Sequence, residues 1–104
     1  MLDAEPLVFG PFVLAGHSLK TPSGPRKLRH AESKLLAHLA KRRPGAVGMA
    51  ELAKVVLGRD DEGGRRSVYS HITNLRLSLG PYAALVETEH KLGCRLALEV
   101  FAAA

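Results

Sequence analysis

Tryptophan is absent from the sequence, and aromatic residues make up only 5% of it. Proteins that hold single-stranded nucleic acid stack bases on aromatic side chains, so this scarcity disfavours that class of protein. The single cysteine, Cys94, excludes an internal disulfide and is typical of a reducing cytosol. No apolar run approaches the ~20 residues of a membrane-spanning helix. Residues 1–6 carry two acids and no basic residue, so we expect neither a membrane anchor nor a signal peptide.

Clusters of metal-binding and catalytic residues are also missing. None of the five histidines forms a close pair with a cysteine or carboxylate at metal-ligand spacing within one predicted helix. The glycine-rich residues 58–64 lack the Gly-Lys-Ser/Thr of a phosphate-binding loop. Cys94 falls on a core position of a predicted strand, which is unsuited to a nucleophile. We therefore predict no metal, no cofactor and no enzymatic activity.

The charge of the chain favours an anionic partner. Lys and Arg number 15 against 10 Asp and Glu, which gives a net charge of +5 and a pI near 9.8. Such a balance indicates nucleic acid before a membrane surface. The apolar fraction of 46% in 104 residues suits one modest core, so we predict a single domain over residues 1–104.

Short β-prone runs occupy the first part of the chain. Residues 7–9 and 12–14 are separated by Gly10-Pro11, a third run surrounds Leu19, and a turn at residues 22–25 precedes a fourth run at residues 26–28. Four short strands joined by tight turns predict a small antiparallel sheet in residues 7–28.

Three helices are predicted in residues 29–80. The first lies in residues 28–43, a stretch without Gly or Pro in which Leu28, Leu35, Leu36 and Leu39 form an apolar stripe. The second covers residues 50–57 and should bury Leu52, Val55 and Val56, with Gly58 as its stop. Residues 60–64 are predicted as a flexible acidic loop, and residues 65–79 form the third helix.

The end of the chain alternates like a hairpin. Strands are predicted at residues 85–86 and along Leu96, Leu98 and Val100, with residues 89–93 as the tip, within an overall range of 84–100. Residues 102–104 are predicted to fray. A sheet, three helices and a hairpin predict an α+β winged helix-turn-helix with an N-terminal four-stranded antiparallel sheet and a C-terminal wing.

The third helix has two chemically different faces. Val68, Ile72, Leu75 and Leu79 recur at steps of four, three and four, which predicts a buried stripe. No acidic residue lies between Glu62 and Glu87. A helix with one apolar and one basic, amide-bearing face can dock on a core and present the polar face to DNA. From this segment alone, an ordinary solvated surface helix is an equally good interpretation.

Several segments together resemble the OmpR-type winged-helix DNA-binding domain, the effector half of many bacterial response regulators. They are residues 32–36 (ESKLL), 68–76 (VYSHITNLR), 86–88 (VET) and 93–96 (GCRL), and the opening residues 9–14 (FGPFVL) resemble regulators that carry this domain at their N-terminus. The resemblance runs from about residue 9 to residue 98. It implies a cytoplasmic bacterial protein whose third helix enters the major groove and whose wing touches the adjacent minor groove.

The resemblance also implies roles for individual residues. Ser70 and Asn74 would face base edges, and His71, Thr73 and Arg76 would approach phosphates. Thr88, His90 and Lys91 would lie on the wing near the DNA. To these we add residues of the same helix: Arg66, as a phosphate contact; Arg65, which is as readily a solvated helix-start residue; and Tyr69, as a packing or phosphate residue. In some members of the family the loop that corresponds to residues 57–64 contacts RNA polymerase, and pairs of domains on DNA are common.

Two other functions remain open at this point. The acids Glu87 and Glu89 on the wing would be repelled by phosphates, and Leu77 is an apolar residue on the polar face. Both would suit a winged helix that serves as an adaptor or antirepressor and binds RNA polymerase or another regulator. The third possibility is an architectural protein that binds all DNA sequences equally.

Overall fold

The computed structural model describes residues 6–59, 61–89 and 93–101. Its elements follow the predicted order, with two short 3-10 helices in addition. They are β1 (Leu7–Phe9), β2 (Phe12–Ala15), β3 (Ser18–Thr21), β4 (Gly24–Lys27), α1 (His30–Arg42), α2 (Met49–Leu57), α3 (Glu62–Leu79), a 3-10 helix (Gly80–Leu85), β5 (Val86–Glu89), β6 (Gly93–Leu96) and a second 3-10 helix (Leu98–Phe101).

The first four strands form an antiparallel sheet in the order β1-β2-β3-β4, and β5 pairs with β6 as a separate hairpin, the wing. This confirms the predicted winged-helix fold. The fourth strand begins at Gly24, inside the predicted turn, because Gly24 pairs with Thr21 across the sheet and Thr21 Oγ1 donates to the Gly24 carbonyl at 2.6 Å. Among the described residues, no helix is long and apolar enough to cross a membrane.

The predicted apolar stripes meet in one core. Leu35, Leu36 and Leu39 of α1 are fully buried against the stripe of α3, whose four predicted members are at most 1% exposed. Leu52 and Val56 of α2 join them, as predicted. Val55 was predicted to be buried but is 38% exposed, because Leu52, Ala53 and Val56 form the inward face of α2 and Val55 lies off that face.

A buried carboxylate connects three elements beside this core. Glu32 of α1 is 1% exposed and accepts hydrogen bonds from the backbone N–H of Arg29 at 3.0 Å and from the hydroxyl of Ser78 at 2.8 Å. Arg26 of β4 donates from Nε to the carbonyl of Ser78 at 2.6 Å. The sheet and the first turn of α1 are therefore both tied to the C-terminal end of α3.

The end of the chain differs from the predicted hairpin. Leu98 and Val100 lie in a 3-10 helix and not in a strand, and Val100 is 53% exposed. The N–H of Ala97 still donates to the Leu85 carbonyl at 2.7 Å, but the carbonyl of Ala97 accepts the N–H of Val100 at 3.2 Å, and this bond turns the chain into the 3-10 helix. The turn brings the ring of Phe101 to 5.9 Å from that of Phe12, so the chain end packs on the sheet.

Candidate nucleic-acid interface

Helix α3 begins three residues earlier than predicted. The predicted acidic loop is wrong for residues 62–64, whereas Asp61 lies outside the helix, as predicted, and Asp60 lies outside the described residues. The carboxylate of Asp61 accepts the backbone N–H of Gly64 at 2.7 Å, which caps the helix. Arg59 binds the same carboxylate at 3.0 Å, and these two contacts lower the pKa of Asp61. The acids of this segment thus start the helix.

The outward ridge of α3 consists of Arg66, Ser70, Thr73 and Leu77. These residues follow at steps of four, three and four, opposite the buried stripe, and all are exposed. The ridge spans about 16 Å along the helix, which equals about five base-pair steps of DNA. Leu77 is 73% exposed and is the one apolar member of the ridge.

The remaining predicted contacts on α3 flank this ridge. Arg65 and Tyr69 are exposed, whereas His71 and Asn74 are half-buried at its other side. Arg66 lies 3.4 Å from Glu62 in an exposed i,i+4 pair, which contributes little to stability in water. The hydroxyl of Thr73 donates to the Tyr69 carbonyl at 3.1 Å, so part of its hydrogen-bonding capacity is used within the helix.

Arg76 connects α3 to the wing. Its Nε donates to the carbonyl of Val86 at 3.0 Å, and its Nη2 donates to the hydroxyl of Thr88 at 2.6 Å. Arg76 is half-buried, whereas Thr88 is exposed. The guanidinium therefore places β5 beside the C-terminal half of α3, and the predicted phosphate contact is also a structural residue.

The wing acids Glu87 and Glu89 lie beside one cation of the wing, Arg95. Glu87 is paired with Arg95 in the strand register, and Nε of Arg95 lies 2.6 Å from Glu87 and 3.2 Å from Glu89. Nη2 of Arg95 also binds Glu99. These contacts raise the pKa of Arg95 and lower the pKa of Glu99. The repulsion expected between the wing acids and phosphates is reduced by this cation.

The far strand of the wing is attached to the segment between α1 and α2. Val47 and Cys94 form a β-bridge in which each backbone N–H donates to the other residue's carbonyl, at 2.7 and 2.9 Å. Gly93 has φ +116° there, and a Cβ on it would lie 2.0 Å from the Val47 carbonyl oxygen. Only glycine fits this close approach. Cys94 is fully buried, as predicted, and its burial raises the pKa of the thiol to about 11.

Two predicted wing residues cannot be placed, and two arginines of the site were not predicted. His90 and Lys91, predicted on the wing, lie outside the described residues. Arg59 and Arg95 were not predicted, although the hairpin register would have placed Arg95 opposite Glu87. Within residues 6–59, 61–89 and 93–101, no group of three or more His, Cys, Asp or Glu residues is arranged to hold a metal ion.

Solved structures with this architecture are DNA-binding domains. The RstA DNA-binding domain of Klebsiella pneumoniae, solved in complex with the RstA box, has a TM-score of 0.77 and 21% identity, over 90% of this chain and 98% of that chain. The CpxR DNA-binding domain of E. coli has a TM-score of 0.75 and 22% identity, over 89% of this chain and 96% of that chain. The E. coli CadC DNA-binding domain has a TM-score of 0.74 and 20% identity, over 89% of this chain and 92% of that chain. The comparison with curated proteins found no match.

A family comparison covers most of the chain. The family described as "Transcriptional regulatory protein, C terminal" matches residues 24–96, from β4 through the wing. Members of this family are regulatory domains and not enzymes, which confirms the prediction that the chain is not an enzyme. The chain belongs to this family of OmpR-type winged-helix transcriptional regulatory domains.

Proposed function

We propose that this protein is a sequence-specific regulator of transcription that binds double-stranded DNA as a single domain over residues 1–104. In the complex, α3 lies in the major groove and the wing contacts the minor groove and phosphates. The observation that carries the proposal is the exposed ridge of α3, a helix that has no acid after Glu62 and whose Arg76 binds Thr88 of the wing. The RstA domain, which has a similar fold, was solved in complex with its DNA box, and this supports DNA binding by the chain.

Base reading is assigned to Ser70 and Asn74. The Asn74 amide donates and accepts together, which matches the N6 and N7 edge of adenine in the major groove. Ser70 is short enough to let the helix approach a base closely. Arg65, Arg66, His71 and Thr73 contact phosphates in this proposal, and Tyr69 packs on sugar or phosphate. His90 and Lys91 supply the minor-groove or phosphate contacts of the wing.

The test is selection of bound sites from random duplexes, followed by mobility shifts on the selected site and on a scrambled one. Binding should fall with salt at a slope of about −4 to −6, if four to six phosphates are neutralised. Arg66→Ala should lower this slope by about one unit on both DNAs. Asn74→Ala should weaken binding by ~1–3 kcal/mol on the selected site only. Equal affinity for both DNAs would instead indicate an architectural protein.

A second candidate is an adaptor or antirepressor that binds a protein. The exposure of Leu77 on the ridge favours it, because an apolar residue gains more from a protein surface than from phosphates. The adaptor was also suggested by repulsion between Glu87, Glu89 and phosphates. The pairing of these acids with Arg95 weakens that argument. Absence of DNA binding at low salt, together with a Leu77-dependent complex with RNA polymerase or another regulator, would replace the first proposal.

The proposal also includes two further partners, RNA polymerase and a second copy of the chain on DNA, and a location in the cell. Contact with RNA polymerase through residues 57–64 and pairing of two copies on DNA are predictions that sedimentation and polymerase-binding measurements on the selected site would test. We also propose a cytoplasmic location in a bacterium, which the bacterial origin of the similar CpxR and RstA domains supports.

A further inference from the structure

A groove lies between the N-terminal sheet and α1, away from the residues assigned to DNA. It encloses about 290 Å³ between β1, β2, the turn after β2 and one face of α1. None of its lining residues belongs to α3 or to the wing. On α1, the lining residues recur at helical spacing, so one continuous face of the helix forms the wall. We refer to this space as the sheet–helix groove.

The rim of the groove is cationic. Lys34 and Lys41 of α1 line it, and none of the carboxylates that the structure describes does. Within the part of the chain that the structure describes, neither lysine takes part in an ion pair. Two ammonium groups beside a concave surface without acids attract an anion, because nothing in the groove compensates their charge.

A buried hydroxyl of the groove wall has no partner. Ser33 is 7% exposed, and its Oγ makes no hydrogen bond with any described residue. A buried polar atom without a partner is unfavourable, so a ligand oxygen that accepts this hydroxyl would remove the penalty. Ser33 precedes Lys34, so the hydroxyl and one ammonium group come from the same turn of α1.

Two histidines close one end of the groove. Nδ1 of His30 lies 3.4 Å from Nε2 of His17, and the rings meet edge to face with centroids 5.5 Å apart. One of the two rings donates in this contact. The other ring then carries its own N–H on the nitrogen outside the contact, which is His30 Nε2 or His17 Nδ1. That N–H is a further hydrogen-bond donor in the lining of the groove.

The interior of the groove is apolar. Leu7 and Leu14 of the sheet and Ala37 of α1 line it. Its volume is at the lower end of the range for ligand pockets, about 300–1,000 Å³, which suits a molecule of about ten non-hydrogen atoms. We propose that the sheet–helix groove binds a small organic anion, with a carboxylate or phosphate at Ser33, Lys34 and Lys41 and a short apolar body on Leu14 and Ala37.

The test is an amide NMR titration of the full chain with phenyl phosphate and, separately, with benzoate. Saturable shifts confined to residues 7–9, 14–18 and 30–41, with a Kd of about 1 mM or lower for at least one probe, would support the proposal. Whichever probe binds more tightly identifies the head group. Benzyl alcohol, which lacks the charge, and inorganic phosphate, which lacks the apolar body, should each bind about tenfold more weakly.

Variants locate the site. Lys34→Ala should weaken binding about fivefold, whereas Lys20→Ala, an equal charge change on the exposed side of β3, should change it less than about twofold. Ala37→Leu, which fills the groove, should abolish binding while leaving the amide spectrum dispersed. Equal losses in the two lysine variants, equal binding of benzyl alcohol, or shifts that extend to α3 would overturn the proposal, and none of these results depends on DNA binding.

Discussion

The guanidinium of Arg76 holds the hydroxyl of Thr88 at 2.6 Å, across twelve residues of sequence, and thereby fixes the wing to α3. Arg76→Ala should lower the free energy of unfolding by ~1–3 kcal/mol, because two hydrogen bonds from a charged group are lost. Urea unfolding measures this change. Amide exchange should become faster in β5 and β6 than in α3.

Arg66→Ala is the control for Arg76→Ala. It removes the same group from the exposed ridge, where Glu62 is the only described residue that pairs with Arg66, and it should change the free energy of unfolding by less than about 0.5 kcal/mol. Equal destabilisation by the two substitutions would show that Arg76 does not hold the wing.

Arg95 should support DNA binding without touching DNA. Arg95→Ala leaves Glu87 and Glu89 without their cation, so we expect affinity for the selected duplex to fall about tenfold at low salt and less at high salt. Adding Glu87→Gln and Glu89→Gln to Arg95→Ala should restore most of the affinity, as measured by fluorescence anisotropy. Failure of this rescue would mean that Arg95 acts by another route.

Gly93 and Gly24 allow strain and steric overlap to be separated. Both have φ near +115°, at +116° and +114°, but a Cβ on Gly24 would have open space whereas one on Gly93 would collide with Val47. Gly24→Ala should cost ~1–3 kcal/mol of stability from backbone strain alone. Gly93→Ala should cost at least about 2 kcal/mol more, because the bridge to Val47 must open. Similar unfolding free energies for the two variants would contradict the bridge.

The thiol of Cys94 should be inert in the folded protein. Burial raises its pKa to about 11, so at about pH 8 almost none is thiolate. Labelling by a thiol reagent should therefore be slow in buffer and should accelerate through the urea unfolding transition. Rapid labelling of the native protein would show that the wing opens far more readily than its contacts indicate.

Acid should weaken the contact between α1 and α2. The Glu51 carboxylate accepts a hydrogen bond from His38 at 2.6 Å and binds Arg42, and these contacts lower the pKa of Glu51. A carboxyl whose pKa is lower in the folded state stabilises the fold above its unfolded value of 4.5, and this contribution is lost as the pH falls through the folded pKa. As the pH falls below 4.5, the urea midpoint should therefore decline less steeply in Glu51→Gln than in the unchanged protein. An unchanged decline would exclude Glu51 as a source of the acid sensitivity.

The core could be predicted because it depends on periodicity. Val68, Ile72, Leu75 and Leu79 repeat at helical spacing, and burial of that stripe determines which face of α3 is exposed. The start of α3 could not be predicted in the same way. Asp61 and Glu62 suggest a solvated loop by composition, and only the contact between the Asp61 carboxylate and the Gly64 N–H turns them into the beginning of a helix.

The electrostatics of the site were harder to predict than its location. The cationic character of α3 follows from residue types, but the bonds of Arg76 to Val86 and Thr88 depend on how the wing folds back. The hairpin register places Arg95 opposite Glu87, but the contacts of the same guanidinium with Glu89 and Glu99 depend on how the side chains pack. Contacts between elements decide which charges remain available to DNA.

The bridge between Val47 and Cys94 holds the wing from the side opposite Arg76. A hairpin that is anchored at both strands cannot slide along a duplex independently of the helix beside it. In the proposed complex, the distance between the bases read by α3 and the step touched by the wing is therefore constant. A regulated site in which one base pair is inserted between those two positions should lose one contact or the other, and no rearrangement of the hairpin should recover it.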